Sequence, residues 1–378
     1  MPNTLTNLIP DMYAALAVVS REQVGFIPAV TLDADVARAA VGQTVRAPVA
    51  PAASASDITP GVTPPDDGDA NIGNKTITIS KARRVPVRFT GEESLGLNTG
   101  PGVLTVRAQR FAQAMRTLCN EIEADIAALY KTSSRAYGAA GTTPFATAGD
   151  YSDASFVRQI LIDNGAPTSD LQLVINTTAG AVFRGKQTQA QQAGSDTMQR
   201  QGVLLDVHGM QIRESAQVKN HTKGTGASYL VNNGAGYASG ATTIAADTGT
   251  GTILAGDVIT FNGNNDKHIV GTALSGGSLA LNEPGLRSVV ADNTAITVGN
   301  SYAANLAFSR SAIVLATRTP ALPEGGDSAS DRFSLTDPMS GLTFEISVYA
   351  QYKQVQYEVA ICWGAANFNP AHTATLLG

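Results

Sequence analysis

The sequence predicts an α+β chain, and three observations carry that reading. One long segment has the apolar spacing of a helix, several shorter segments alternate with the period of a strand, and residues 223–301 are glycine-rich with no helical periodicity. The helix spans Val103 to Lys131, where Leu104, Ala108, Phe111, Met115, Leu118, Ile122, Ile126 and Leu129 recur at steps of three and four. Pro101 and Gly102 stand just ahead of it, and its interior holds neither residue type. At ~1.5 Å per residue it is roughly 44 Å long, enough to cross a whole domain as a spine.

The apolar stripe of this helix is expected to be core. Its other face carries Arg107, Arg110 and Arg116 in the first half and Glu121, Glu123 and Asp125 in the second. Basic residues in the first turns oppose the helix dipole. Two readings fit them: a solvated face, or a face met by complementary charges on a neighbouring chain.

The 378 residues allow two or three domains. Charged residues are 15% and the formal net charge is −5, so no global basic field marks the chain as a nucleic-acid binder. Cys119 and Cys362 lie far apart in apolar contexts and are expected to be buried thiols, as suits a reducing cytoplasm. The first apolar run, Tyr13 to Val19, is short and lacks the basic start of a signal peptide, and no run has the length of a membrane span.

The first hundred residues do not read as a compact domain. Asp11 to Gln23 and Ala34 to Ala40 are expected as short helices. Gln43 to Asp69 is rich in proline and poor in large apolar residues, so it reads as an extended arm or a disordered tail. Thr76 to Ser80 alternates with period two, and Val85, Val87 and Phe89 continue the alternation. Pro86 confines the second segment to an edge or a bulge. Together they read as a two-stranded ribbon, marginal alone in water and expected to lean on another molecule. Lys75, Lys81, Arg83, Arg84 and Arg88 make it basic, and the acidic group Asp66, Asp67 and Asp69 lies nearby. Phosphate contact is one reading, although no aromatic residues interleave with the charges. A charged contact between subunits is preferred.

After the spine, residues 133–150 read as a loop and Ser152 to Asn164 as a helix, with Ser152 or Asp153 as its N-cap and Gly165 as its stop. Leu171 to Asn176 is expected as a buried strand, Thr177 to Gln192 as a helix, and Gly202 to Val218 as a hairpin turning at His208-Gly209. Residues 223–301 hold 14 of the 37 glycines. Six β-type runs recur there: 228–231, 242–246, 257–261, 268–272, 278–281 and 294–298. They suit a small antiparallel barrel or sandwich inserted into a larger sheet domain. Ala312 to Ala316 is expected as a strand, Thr319 to Ser330 as a loop, and Leu342 to Trp363 as two antiparallel strands, with a weakly structured tail after Gly364.

No catalytic constellation emerges. Gly180 to Lys186 (GAVFRGK) follows a strand as a P-loop does, yet Gln187 stands where a Ser or Thr would hold magnesium, and the intervening residues are bulky. His208, His221, His268 and His372 are scattered, without ligand spacing for a metal. No cofactor is implied. Asp66-Asp67-x-Asp69 reads as an exposed acidic turn.

Taken in order, these pieces resemble the major capsid proteins of tailed bacteriophages with the Hong Kong 97-type fold, and specifically the short-tailed enterobacterial phage coat family, which carries an inserted β domain. The resemblance rests on GVLLDVHGMQIRESAQV (202–218), the start of the insertion at Lys223, GDVITF (256–261), NLAF (305–308) with AIVLATR after it, and Gly341 to Trp363. It implies an N-terminal arm at 1–60, an E-loop ribbon at 61–100, the spine helix and first part of the peripheral and axial domains at 101–222, the insertion at 223–301, and the second part at 302–378. It further implies a non-enzymatic subunit that assembles as hexamers and pentamers around a scaffolding protein. The icosahedral shell would take a portal protein and enclose double-stranded DNA, with no membrane; a decoration protein is a candidate partner whose presence the sequence leaves open. Assembly would take place in the bacterial host cytoplasm. An encapsulin-like shell shares the fold class but usually lacks such an insertion. Candidate inter-subunit contacts are Lys75, Lys81, Arg83, Arg84, Arg88, Asp66, Asp67, Asp69, Arg107, Arg110, Glu121 and Glu123.

Overall fold

The computed structural model describes residues 25–49, 55, 57–58, 60–63, 73–97, 103–147, 150–186, 204, 206–336 and 341–378. The helix expected at 11–23, the acidic group at 66–69 and the end of the helix expected to run to Gln192 lie outside the described residues.

The spine forms where its periodicity places it. Helix α2 runs Val103–Ala127 and tightens into a 3-10 turn at Ala128–Thr132. Phe111, Met115, Leu118, Ile122 and Ile126 are buried against a six-stranded sheet. The centre of that sheet is β19 (Gln354–Asn367). One edge of β19 carries β4 (Lys81–Thr90) over ten residue pairs. Its other edge carries β18 (Thr343–Gln351) and, further along, β16 (Ile313–Pro320). β17 (Asp331–Thr336) lies outside β18, and β1 (Thr31–Ala39) lies parallel to β16. Phe111 meets Tyr357 of β19 edge to face, 5.4 Å between ring centres.

Several expectations for the front of the chain are corrected. Residues 34–39, expected as part of a helix at 34–40, belong to a strand. Pairing with β16 overrides a weak local preference, and ion pairs Arg38–Glu345 (2.6 Å) and Asp33–Arg318 (3.2 Å) fasten β1. Ahead of it, Phe26, Ile27, Ala29 and Val30 are buried in the main core, so residues 25–39 belong to the body rather than to a free arm. The ribbon also pairs differently. β3 (Gly73–Thr78) pairs with β2 (Thr44–Val49), inside the segment read as an arm, while β4 joins the six-stranded sheet. The two strands expected to pair with each other diverge because β19 offers β4 a longer, buried partner. Where β3 leaves the body it crosses Gly364, where a Cβ would lie 2.1 Å from the Thr78 carbonyl oxygen. A short helix, α1 (Gly91–Leu97), follows β4.

A twelve-stranded sheet makes the rest of the body. Its body strands run in the order β5 (Arg135–Tyr137), β20 (Thr373–Leu377), β15 (Tyr302–Ser309), β6 (Leu171–Ile175) and β7 (Met210–Glu214), with β7 at the end. Helices α3 (Ser152–Asp163) and α4 (Thr177–Lys186) are connected through it. The chain turns at His208-Gly209, both with positive φ, but β7 pairs in parallel with β6, and among the described residues the hairpin reduces to the bridge Val207–Met210. The tail is the larger correction. β20 is wholly buried between β5 and β15, with the Ser133 and Thr375 hydroxyls 2.7 Å apart.

Residues 223–301 contribute β9 (Tyr229–Val231), β10 (Thr243–Asp247), β11 (Val258–Phe261), β12 (Lys267–Ser275), β13 (Ser278–Leu281) and β14 (Ala295–Val298). Their antiparallel pairings close a circuit, β11-β14-β9-β10-β13-β12-β11, around an apolar cluster of their own that includes Val231, Ile244, Phe261 and Leu279. This is a small barrel. It joins the body where β12 pairs with β5.

One buried carboxylate fixes the front of the chain to the spine. Glu123, 2% exposed, accepts the backbone N–H groups of Gly25 (3.3 Å), Phe26 (3.0 Å) and Ile27 (2.6 Å) and the Ser215 hydroxyl (2.8 Å). Burial pushes its pKa above the usual carboxylate range, while the four donors pull the other way. Glu123→Ala would orphan these buried donors, and we expect a loss of about 3 kcal/mol in denaturant or thermal unfolding. Glu121→Ala, which removes a part-exposed ion pair with Arg83 at 3.4 Å, should change stability by less than ~1 kcal/mol.

Candidate assembly surface

Among the described residues the β2–β3 ribbon is anchored towards its base and through Lys75. Ile77 and Ile79 are buried against Ala39, Ala316 and Cys362, with Val45 and Phe368 packed beside them, and Lys75 donates to the Phe368 carbonyl. Beyond the base the character reverses. Ile58 is 97% exposed and Val62 106% exposed in the connection between the two strands. These two apolar residues were not singled out by sequence reasoning, because they sit in a proline-rich stretch without periodicity.

The basic residues of β4 divide by alternation. Lys81 and Arg83 point to the spine, where Lys81 pairs with Asp125 at 2.8 Å and Arg83 with Glu121 at 3.4 Å. Asp125 also accepts the Trp363 indole N–H at 2.9 Å. Arg84 lies on the opposite face and pairs with Glu358 at 2.8 Å. The acidic half of the spine therefore meets a basic strand of its own chain. Glu123 departs furthest from the expectation of an inter-subunit contact: it is buried, and its four donors come from the same chain.

Arg88, Arg107 and Arg110 are placed differently. Arg88 and Arg110 line a cleft of about 420 Å³ with Glu93 and Gln356, and Arg110 also lies 5.6 Å over the Phe89 ring. Arg107, Phe89, Tyr352, Val355 and Tyr357 border a larger cleft of about 780 Å³ between α1 and the β18–β19 turn. Tyr352 and Leu95 are exposed beside it. Thr90 and Glu93 close the start of α1 reciprocally: the Thr90 N–H donates to the Glu93 carboxylate (2.9 Å) and the Glu93 N–H to the Thr90 hydroxyl (3.2 Å). The words Thr90-Gly-Glu-Glu93 carry that signal, and it was readable.

The P-loop lookalike resolves into helix packing. Gly180 to Lys186 lies within α4, not in a loop. A Cβ on Gly180 would sit 2.7 Å from the Glu214 carboxylate carbon, so the glycine admits Glu214, and Arg184 pairs with that same carboxylate. A phosphate would face an anion here. Lys186 donates to the Thr147 and Asp150 carbonyls.

A polar network missed in the sequence joins the spine to the barrel. Asp257, fully buried, accepts from Gly224 and Leu254 N–H groups and lies 2.8 Å from His221 Nε2, while His221 Nδ1 lies 2.8 Å from the Tyr130 hydroxyl. Burial, with Asp257 nearby, pushes the Tyr130 phenol up to about 12. The order Asp–His–hydroxyl has the outline of a nucleophilic triad, yet its hydroxyl is a buried phenol held protonated, which suits a structural tie. The two thiols, Cys119 and Cys362, are buried, and burial pushes Cys362 up to about 11. No group of three or more metal-ligating side chains occurs among the described residues. No described helix is long and apolar enough to cross a membrane.

No family model matches this chain, and no curated protein matches it. Among solved structures it is similar to one described as the capsid structure of the cyanophage P-SCSP1u, at 13% identity and a TM-score of 0.48, over 93% of this chain and 87% of that one. It is also similar to a chain of Mycobacterium phage Che8 (12% identity, TM-score 0.44, 89% and 84% covered). A third likeness is to a virus-like particle from Pyrococcus furiosus (9% identity, TM-score 0.44, 97% and 98% covered). Likenesses this distant carry no residue's role across.

The packing of Gly180 gives a direct test. Gly180→Ala should destabilise the fold by ~1–3 kcal/mol through overpacking, and titration with ATP and magnesium should show no saturable heat. Saturable binding that Lys186→Ala removes would restore the nucleotide reading.

Proposed function

We propose that this chain is the subunit of a protein shell: a major capsid protein that assembles into an icosahedral bacteriophage head around double-stranded DNA. The observation that carries the reading is the β2–β3 ribbon. Its two strands pair with each other and with nothing else among the described residues. Among the described residues its packing lies towards its base, and the connection presents Ile58 and Val62 to solvent. A two-stranded ribbon is marginal in water, and exposed apolar side chains at its end are a surface made for another molecule. Closed assembly from identical subunits supplies that molecule as a second copy.

The remaining features fit a structural part. The long helix braced across a sheet makes a stiff plate. The sites that resemble catalytic motifs are occupied by packing. A net charge of −5 suits a container that does not grip nucleic acid. Hexamers and pentamers of this subunit, built around a scaffolding protein with a portal protein at one vertex, form the shell in this reading. A cargo-carrying shell of the encapsulin kind has the same kind of subunit and differs in its contents.

Electron microscopy of the protein expressed with its scaffold should show closed shells, and nuclease-protected DNA inside particles from infected cells separates the phage head from a cargo shell. Replacing residues 50–72 by a short glycine linker should abolish shells and leave a folded subunit, since the excision spares β3 and β4. The double variant Ile58→Asp with Val62→Asp should lower shell yield at least tenfold with unchanged unfolding of the subunit. Normal shells from both variants would remove the ribbon from assembly.

A further inference from the structure

The barrel formed by residues 223–301 is hydrogen-bonded, strand to strand, to the neighbouring body strand β5 through a short seam. β12 pairs with β5 only at Lys267↔Ala136 and His268↔Arg135, and the Ile269 N–H reaches the Ser134 carbonyl at 3.4 Å. Side chains reinforce it from one face, where Asn282 donates to the Lys131 and Ser133 carbonyls at 2.8 Å each. On the other, Arg135 pairs with Asp266 (3.2 Å) and Asp163 (3.5 Å), and Arg287 approaches Asp163 at 2.9 Å.

In the middle of this seam stands a histidine with an unusual environment. His268 is 1% exposed, and neither ring nitrogen has a hydrogen-bond partner among the described residues. Its ring lies 5.9 Å from that of Phe261 on β11. The charged groups that face it are Arg135, across the strand pair, and Asp266, two residues ahead on its own chain; Asp163 and Arg287 complete the cluster behind them. Asp266 is already paired with Arg135, so a new positive charge on the imidazole would share its carboxylate with an existing guanidinium.

We propose that His268 is an acid-operated release of the barrel from the body: uptake of one proton on its buried imidazole opens the β12–β5 seam while the closed circuit of the barrel persists. The closed seam resists the proton, because burial pulls His268 down to about 4 from an ordinary value of 6.5. An opened seam hydrates the ring and restores the ordinary value. Above pH 6.5 both forms are neutral and the seam is at full strength. As pH falls from 6.5 towards 4 the open form alone takes up the proton, so opening becomes steadily easier. At pH 5 the opening constant should be about 30-fold larger than at pH 8, for a shift between these two values.

Hydrogen exchange on the full chain, corrected for intrinsic rates, tests this. Peptides covering 133–137 and 265–270 should lose about 30-fold in protection between pH 8 and pH 5, while strands β9, β10 and β13 inside the barrel keep theirs. In His268→Phe the seam peptides should keep their protection at both values. Equal loss in wild type and variant, or loss spread evenly over the barrel, overturns the proposal. Should the variant fail to fold, the histidine ring resonances of the wild type decide: His268 still neutral at pH 5.5 supports the release, and a midpoint near 6.5 refutes it.

Discussion

The Glu123 carboxylate is the constraint on which the front half of the molecule depends. It gathers three successive backbone N–H groups and a serine hydroxyl from two parts of the chain that are about a hundred residues away in opposite directions. A buried carboxylate without donors is costly, and a buried N–H without an acceptor is costly too. Joined here, each removes the other's penalty. The geometric consequence is larger than the energy. With Gly25 to Ile27 held on the spine, the chain emerges at Thr31 alongside β16, and β1 adds as a parallel strand. Parallel pairing needs a distant strand brought into line, and the helix-borne carboxylate does that.

From this anchor follows a division of the charges. The basic strand β4 and the acidic end of the spine neutralise each other within one subunit, so the pairs Lys81–Asp125 and Arg83–Glu121 hold the sheet against the helix. Such part-exposed pairs add little stability, but they fix register. Arg88, Arg107 and Arg110 instead border the clefts at the start of the spine. The charged residues singled out in the sequence thus separate into those paired within the chain and those that border its clefts.

Periodic elements were legible in the sequence and non-local pairings were not. The stripe from Phe111 to Ile126 gave the spine because a helix writes its buried face into consecutive residues. The six strands of the barrel were legible because glycine and asparagine turns bracket each one. β1 and β20 were missed for a common reason. Thr31–Ala39 and Thr373–Leu377 lack a clean apolar alternation, and they become strands through partners that are not local, β16 for β1 and β5 and β15 for β20. The ribbon was half legible: the alternation of β3 and β4 was evident, but strand pairing is not local information, and each found a different neighbour. The Asp257–His221–Tyr130 tie joins positions spread over 128 residues on three elements, so no spacing rule could have assembled it.

The polar ties and the seam together determine how the barrel can move. At one side it is held by His221 and Asp257, where every heteroatom named has a partner and the Tyr302 hydroxyl adds a bond to the Gly256 carbonyl at 2.6 Å. At the other it is held by two strand pairs, the Asn282 amide and the Arg135–Asp266 ion pair, around an unpartnered imidazole. In the proposed release the barrel would pivot about the satisfied side, because the free energy of opening is lowest where a buried polar group gains water. The chain also enters and leaves the barrel beside the satisfied side, at residues 221–224 and 299–302, with Lys223 N–H on the Ser301 hydroxyl at 3.1 Å. The covalent connections and the fully partnered network therefore coincide, so the proposed opening would hinge at the sequence positions where the barrel is inserted.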